Sequence, residues 1–204
     1  MAEILPVTLT GKRVELLPLA PEHHDALAAA VQDGELWKLW YTNVPAPGDM
    51  AAEIARRLKL QAAGSMLPFT IVDRRSGRIV GMTTFMNIDA TLPRVEIGST
   101  WYAASAQRTG INTEAKLLLL GHAFETLGCP AVEIRTHALN QQSRRAIERL
   151  GAKLDGILRQ HMRAKDGTLR DTCVYSIVAA EWPAVRSNLR WQLERHASET
   201  NGEG

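Results

Sequence analysis

Between Ala103 and Thr109 a short polar loop joins an extended run, Arg94 to Tyr102, to a long helical pattern opened by Gly110. That arrangement suits the binding of a phosphate or pyrophosphate. Backbone N–H groups converge at a helix N-terminus, and the helix dipole gives them a partial positive charge. Arg108 adds a full charge, and Gly110 offers no side chain to obstruct a ligand. The segment Gln107-Arg108-Thr109-Gly110-Ile111-Asn112 lacks the glycines of the G-x-G-x-x-G dinucleotide fingerprint and the lysine of a P-loop. A pyrophosphate cradle of another kind is therefore expected. The six histidines (His23, His24, His122, His137, His161 and His196) have no ligand spacing, and Cys129 and Cys173 stand apart, so no metal site is expected. Cys173 alternates with its strand neighbours and reads as core.

The elements that must position the loop can be read from periodicity and punctuation. A strand from Arg13 to Leu19 leads into a helix running from Pro21 to about Val31. Gly34 to Pro47 is aromatic and irregular, with Trp37, Trp40 and Tyr41 close together. Asp49 suits the N-cap of a second helix that Gly64 stops. Strands are expected at Phe69 to Val72 and Ile79 to Ile88, joined by Asp73-Arg74-Arg75-Ser76-Gly77, and then at Arg94 to Tyr102. In the following helix Leu117, Leu120, Phe124 and Leu127 share one face while Ile111, Ala115 and Leu118 share another, so it should be sandwiched against a sheet until Gly128 ends it. A strand Ala131 to Ala138, a helix Ser143 to Leu150 and a hairpin with arms Lys153 to Arg163 and Leu169 to Ile177 complete the pattern. A last helix carries Arg186, Arg190, Trp191 and Arg195, whose basic stripe reads as a solvated face. The order β-α-α-β-β-β-α-β-α-β-β predicts one mixed α/β (α+β) sheet flanked by helices. One domain over 1–196 is expected, with a patternless, disordered tail at 197–204.

Composition removes several classes of function. With 204 residues, 45% hydrophobic and 23% charged, the chain is of ordinary globular type. Twenty-four Lys+Arg against 22 Asp+Glu leave +2, too balanced for a protein that coats a nucleic acid backbone. No apolar run is long enough to span a bilayer, and Glu3 and Pro6 follow Met1 where an export leader would be basic and then apolar. Two cysteines make no disulfide framework, and a reducing cytoplasm is the expected location.

The loop also resembles the pyrophosphate motif of the GNAT superfamily of N-acetyltransferases: Arg or Gln, two free positions, Gly, one free position, then Gly or Ala. Gln107 and Gly110 take the first and fourth places, and Asn112 stands at the sixth. Val95-Glu96-Ile97-Gly98 before the loop, Thr113-Glu114-Ala115 after it, and Asn140-Gln141-Gln142-Ser143 with Leu150-Gly151-Ala152 are similar to the branch containing the ribosomal-protein N-terminal acetyltransferases. The resemblance spans residues 12 to 182 in the right element order.

What the resemblance implies is acetyl transfer from acetyl-CoA to a primary amine by direct attack in a ternary complex, in a GNAT fold with a mostly antiparallel sheet. The cradle would be Gln107, Arg108, Thr109, Gly110, Ile111, Asn112 and Thr113. In this fold the preceding strand splays from its neighbour, so N–H groups at Thr100, Trp101 and Tyr102 are expected to meet the thioester oxygen. Asn140 would hydrogen-bond the pantetheine arm. An alkylammonium with a pKa near 10 needs a base, and Glu96 is the expected one. The leaving thiolate would take a proton from Ser143 or Tyr175, and His137 is a reserve base. Trp37, Trp40 and Tyr41 would wall the acceptor pocket. The acceptor is a protein N-terminus, an amino acid, a polyamine or another small amine, and relatives often dimerise. The competing expectation is an acyl-CoA-binding sensor of the same fold without turnover.

Overall fold

The structure, a computed structural model, describes residues 4–89 and 91–201. Two short strands, β1 (Leu9–Thr10) and β2 (Val14–Pro18), open it, followed by helices α1 (His24–Gln32) and α2 (Met50–Ala62). An antiparallel meander comes next: β3 (Met66–Asp73), β4 (Arg78–Asp89) and β5 (Arg94–Tyr102). Helix α3 (Ile111–Gly121), strand β6 (Ala131–His137) and helix α4 (Gln141–Arg149) precede the hairpin β7 (Lys153–Arg163) and β8 (Leu169–Val178), and α5 (Trp182–Asn201) ends the described chain. The eight strands form one sheet in the order β1-β2-β3-β4-β5-β6-β8-β7. Every neighbouring pair is antiparallel except β5 and β6.

Helices cover both faces. Successive strand residues point to opposite sides, so Thr84, which takes a hydrogen bond from Arg57 of α2, marks one face, while its neighbour Phe85, stacked on His122 after α3, marks the other. The core is continuous through Leu16, Phe69, Met82, Ile97, Leu119 and Ile177.

Several boundaries differ from expectation for identifiable reasons. Strand β1 is too short to show an alternation. Strand β3 begins before Phe69 because Pro68 is accommodated opposite Thr84 of β4, where a proline would ordinarily mark a strand end. Asp49 occupies the N-cap position of α2 as the last residue of a 3-10 turn, and its side chain makes no capping bond. After Gly121 the long helix continues as a single π turn over His122–Thr126, which shifts the register of its apolar stripe. Before that turn Leu117 and Leu118 are only half-buried, and Leu119 and Leu120 face the core. Helix α5 runs to Asn201, through the first part of the 197–204 segment expected to lack structure, since Ala197 and Ser198 do not break a helix; residues 202–204 lie outside the described residues.

Two contacts pin the start of α3 to the turn between β1 and β2. The buried Glu114 carboxylate accepts three backbone N–H bonds, from Lys12 (2.9 Å), Arg13 (2.8 Å) and Val14 (2.6 Å). The Arg13 guanidinium donates to the Thr109 carbonyl. The polar loop is thus held from the far edge of the sheet.

Candidate active site

Strands β5 and β6 pair only at Val95 with Val132 and at Glu96 with Glu133. Beyond Glu96 no β5 residue has a β6 partner, and the strands separate. A bulge promotes this: Ser99 and Thr100 together oppose Thr83, and Ser99 takes φ +48°. Arg57, 2% exposed, holds the bulge from α2. Its guanidinium donates to Thr84 Oγ1 (2.6 Å), to the Ser99 carbonyl (3.1 Å) and to the Glu53 carboxylate (2.7 Å).

A cavity of about 1080 Å³ fills the gap and reaches both faces of the sheet. Its cradle end is formed by Gln107, Arg108, Gly110, Asn112 and Thr113. Arg108 and Gly110 have φ of +59° and +85°, the left-handed region that lets successive N–H groups converge. Glycine is needed at 110 both for that angle and because a Cβ there would come within 3.0 Å of the His196 ring. Gln107 Nε2 donates to the Tyr102 carbonyl at 3.2 Å. Thr109 turns its hydroxyl back to the Ala106 carbonyl (2.6 Å), and Ile111 is core; neither lines the cavity.

The expected row of N–H groups is split by strand geometry. Ala103 N–H donates to Val80 of β4, so alternation turns the Trp101 peptide the other way from Tyr102's, and the Trp101 carbonyl indeed lies against Gly81 of β4. Tyr102 keeps its amide on the gap edge, and Thr100 lies in the bulge. All three residues line the cavity.

On the α1/α2 face, Glu96 is buried. Asn87 Nδ2 donates to its Oε2 at 2.7 Å, and Arg135 Nε lies 3.5 Å from the same oxygen. Oε1 takes no hydrogen bond among the described residues and points toward Gly98, where a Cβ would lie 3.0 Å from it. Burial raises the Glu96 carboxyl above its ordinary range, against the lowering effect of Asn87 and Arg135. Its strand neighbour Arg94 donates to Glu133 of β6 at 3.1 Å.

The remaining expected residues divide. Asn140 caps α4, its side-chain oxygen accepting the Ser143 N–H (3.0 Å), and both residues line the cavity. Tyr175 does not. It lies on the opposite face of β8, fully buried, where its hydroxyl donates to Glu148 Oε1 (2.8 Å) and accepts from Arg144 Nε (3.0 Å). Tyr41 lines the cavity, Trp40 sits outside it edge-on to Tyr41 and His137, and Trp37 packs on the core. His137 accepts the Leu139 N–H on Nδ1 (3.0 Å), which occupies its basic nitrogen; burial also lowers its pKa. No group of side chains suited to a metal ion occurs among the described residues.

A cradle for a pyrophosphate, the gap between β5 and β6 and a buried carboxylate thus share one cavity. The family pattern described as an acetyltransferase (GNAT) domain matches residues 13–153. The chain belongs to the GNAT family. A GCN5-related N-acetyltransferase from Brucella melitensis superposes with a TM-score of 0.82 at 31% identity, covering 94% of this chain and 87% of that one. The Bacillus subtilis (strain 168) protein named "Putative ribosomal N-acetyltransferase YdaF" is 33% identical over 106 residues, 52% of this chain and 57% of that protein. Mycobacterium smegmatis RimJ, solved in complex with CoA-disulfide, has the same fold at a TM-score of 0.78 and 24% identity, over 92% of this chain and 95% of that one. The protein is a GNAT N-acetyltransferase, and its cavity fits the acetyl-CoA that the family uses as acyl donor.

Sequence reading passed over Arg57, Asn87, Lys116, Arg135 and Arg170, all of them lining the cavity. Lys116 is buried in α3, donates to Thr100 Oγ1 at 3.3 Å, and is lowered by burial to about 7. Arg195, read as part of a solvated stripe, lines the cradle end and lies over the Trp191 ring at 4.9 Å. No helix among the described residues is long and apolar enough to cross a membrane.

Proposed function

We propose that the protein acetylates a primary amine by direct attack within a ternary complex of enzyme, acetyl-CoA and acceptor. The observation that carries this is the single cavity linking the Arg108–Gly110 cradle to the open Oε1 of Glu96 through the β5–β6 gap. The donor would lie with its pyrophosphate at the N-terminus of α3 and its pantetheine arm in the gap, taking a hydrogen bond from the amide nitrogen of Asn140, which has no partner among the described residues. Glu96, with Oε2 held by Asn87 and Arg135, accepts the proton of the incoming ammonium on Oε1. A pKa raised by burial brings the carboxylate nearer to that of its partner, which favours the transfer. The amine nitrogen then bonds to the acetyl carbon, the C–S bond breaks, and the thiolate is protonated. Ser143 is the proposed proton donor, because it faces the cavity while the Tyr175 hydroxyl is engaged by Arg144 and Glu148.

The acceptor pocket is bounded by Tyr41, Leu39, Val44, His137 and Met162, a mixed apolar and polar wall suited to an aminoacyl group, whether free or at a protein N-terminus. The proposed unit comprises residues 1–196, with α5 closing the cradle, and functions in the cytoplasm. A homodimer is part of the reading, since Leu154, Ile157, Leu158 and Met162 are exposed along the outer strand β7. Sedimentation showing a monomer alone would remove that part. The enzymatic reading is tested by release of CoA thiol from acetyl-CoA against a panel of amino acids, peptides and polyamines. Release with at least one acceptor, strongly reduced in Glu96→Gln, is expected; binding of CoA with no release from any acceptor would refute it.

A further inference from the structure

Glu96 is the one carboxylate among the described residues lining the cavity, whereas cations line it at both ends. At the cradle end Arg108, Arg145, Arg149 and Arg195 face the region proposed for the phosphates of the donor. At the acceptor end stand Arg135 and Arg170. Arg135 is committed, lying between the carboxylates of Glu133 and Glu96. Arg170 is not: it has no carboxylate partner within ion-pair distance among the described residues. It sits on β8 two residues before Thr172, which pairs with the last residue of β6, His137, so it projects past the end of β6 on the face that carries Glu96. Its Nε donates to Thr172 Oγ1 at 3.1 Å, which fixes the guanidinium plane and leaves both terminal nitrogens without a partner among the described residues. Burial lowers the Arg170 pKa, and its charge and that of Glu96 act on each other across the pocket.

A half-buried guanidinium held by one arm, with its two-pronged end open, is a carboxylate receptor lacking its carboxylate. We propose that the acceptor amine carries a carboxylate a few bonds away, and that Arg170 binds this carboxylate while Glu96 receives the ammonium. The inference rests on the acetyltransferase reading above and narrows its acceptor. Two sources share this chemistry: the α-carboxylate of a free amino acid, and the side-chain carboxylate of an acidic residue at a peptide N-terminus. Polyamines, which carry only positive charge, are disfavoured next to Arg170.

The test compares kcat/KM within two matched pairs, leucine against leucinamide, and a C-terminally amidated tripeptide beginning with Asp against its Asn counterpart. At least about tenfold preference for the carboxylate is expected in one pair, in line with a charge-assisted hydrogen-bonded contact. The pair that shows it identifies the source. In Arg170→Gln the preference should collapse, and in Arg170→Lys, a charge without the fork, it should recover only in part. Equal kcat/KM within both pairs would overturn the inference while leaving the enzyme reading intact. If no amine releases thiol, the enzyme reading fails, and calorimetric titration of both N-acetylated pairs, N-acetyl-leucine against N-acetyl-leucinamide and the N-acetylated Asp tripeptide amide against its Asn counterpart, into the CoA-loaded protein decides the Arg170 site alone. Tighter binding of the acid in either pair, lost in Arg170→Gln, supports it; equal or absent binding in both overturns it.

Discussion

Replacing Glu114 with alanine removes, in one step, the acceptor of three main-chain N–H groups at the β1–β2 turn. Only the Val14 bond is fully buried; those to Lys12 and Arg13 are partly accessible, so water can replace them. Leaving the buried Val14 donor unsatisfied costs about 2 kcal/mol, and each of the other two losses about 0.7 kcal/mol, for a sum near 3.5 kcal/mol. At roughly 2 to 4 °C per kcal/mol for a chain of this size, the Tm should fall by about 7 to 14 °C. Glu114→Gln retains one acceptor oxygen and should lose less than half as much. Gly11→Ala offers an independent route to the same damage, because its Cβ would stand 2.7 Å from the Glu114 Cδ and displace the carboxylate. The double variant Gly11→Ala/Glu114→Ala should therefore be less destabilised than the sum of its parts. Since Arg13 is also tied to Thr109 at the cradle, the KM for acetyl-CoA should rise in Glu114→Ala as well. Urea and thermal unfolding by circular dichroism measure the energies; a Glu114→Ala variant within 1 kcal/mol of the parent would refute the reasoning.

Glu96→Gln should slow turnover yet raise the Tm at neutral pH. Burial lifts the folded-state pKa of Glu96, so its ionised form costs stability above that pKa, and the gain should vanish in acid where the parent is protonated too; an unchanged Tm at pH 7 would contradict this. For Lys116 the folded chain releases its proton near pH 7 and the unfolded chain near 10.4, so stability rises with pH across that window. Lys116→Met should flatten the rise, and parallel Tm profiles of the two proteins would count against the burial effect. Arg57→Met should cost about 2 kcal/mol by leaving Thr84 and the Ser99 carbonyl without their donor, while Glu53 keeps its pair with Arg56; Arg57→Lys should be a poor rescue because three acceptors in different directions need the fork. Denaturant midpoints close to the parent's in Arg57→Met would exclude that role.

The frame of the site was legible because it rests on punctuation and period. Gly110 and the loop before it, the strand Arg94–Tyr102 and the glycine, Gly128, that closes the long helical pattern all carry local signals. The interior polar residues were not. Arg57, Glu114 and Lys116 sit on helices, where a charged residue among apolar ones reads as the solvent face, and only the opposing strands show that each points inward. Tyr175 illustrates a parity that was available. It lies two residues from Cys173 on one strand, so placing Cys173 in the core places Tyr175 there too, on the face turned away from Glu96. Arg170 depended on knowing where β6 ends relative to β8, a distance across the sheet that a single sequence does not encode.

The two-pair junction between β5 and β6 also has a mechanical meaning. The sheet is in effect a five-stranded and a three-stranded plate joined along a seam only two residues long, at Val95–Val132 and Glu96–Glu133. Such a joint bends more readily than the longer ladders on either side of it, β4–β5 and β6–β8. The base proposed for the reaction is itself one of the rivets, so any widening of the gap also moves the carboxylate that must meet the amine. A donor lodged in the gap would brace the two plates against each other, coupling occupancy by the first substrate to the alignment of the second.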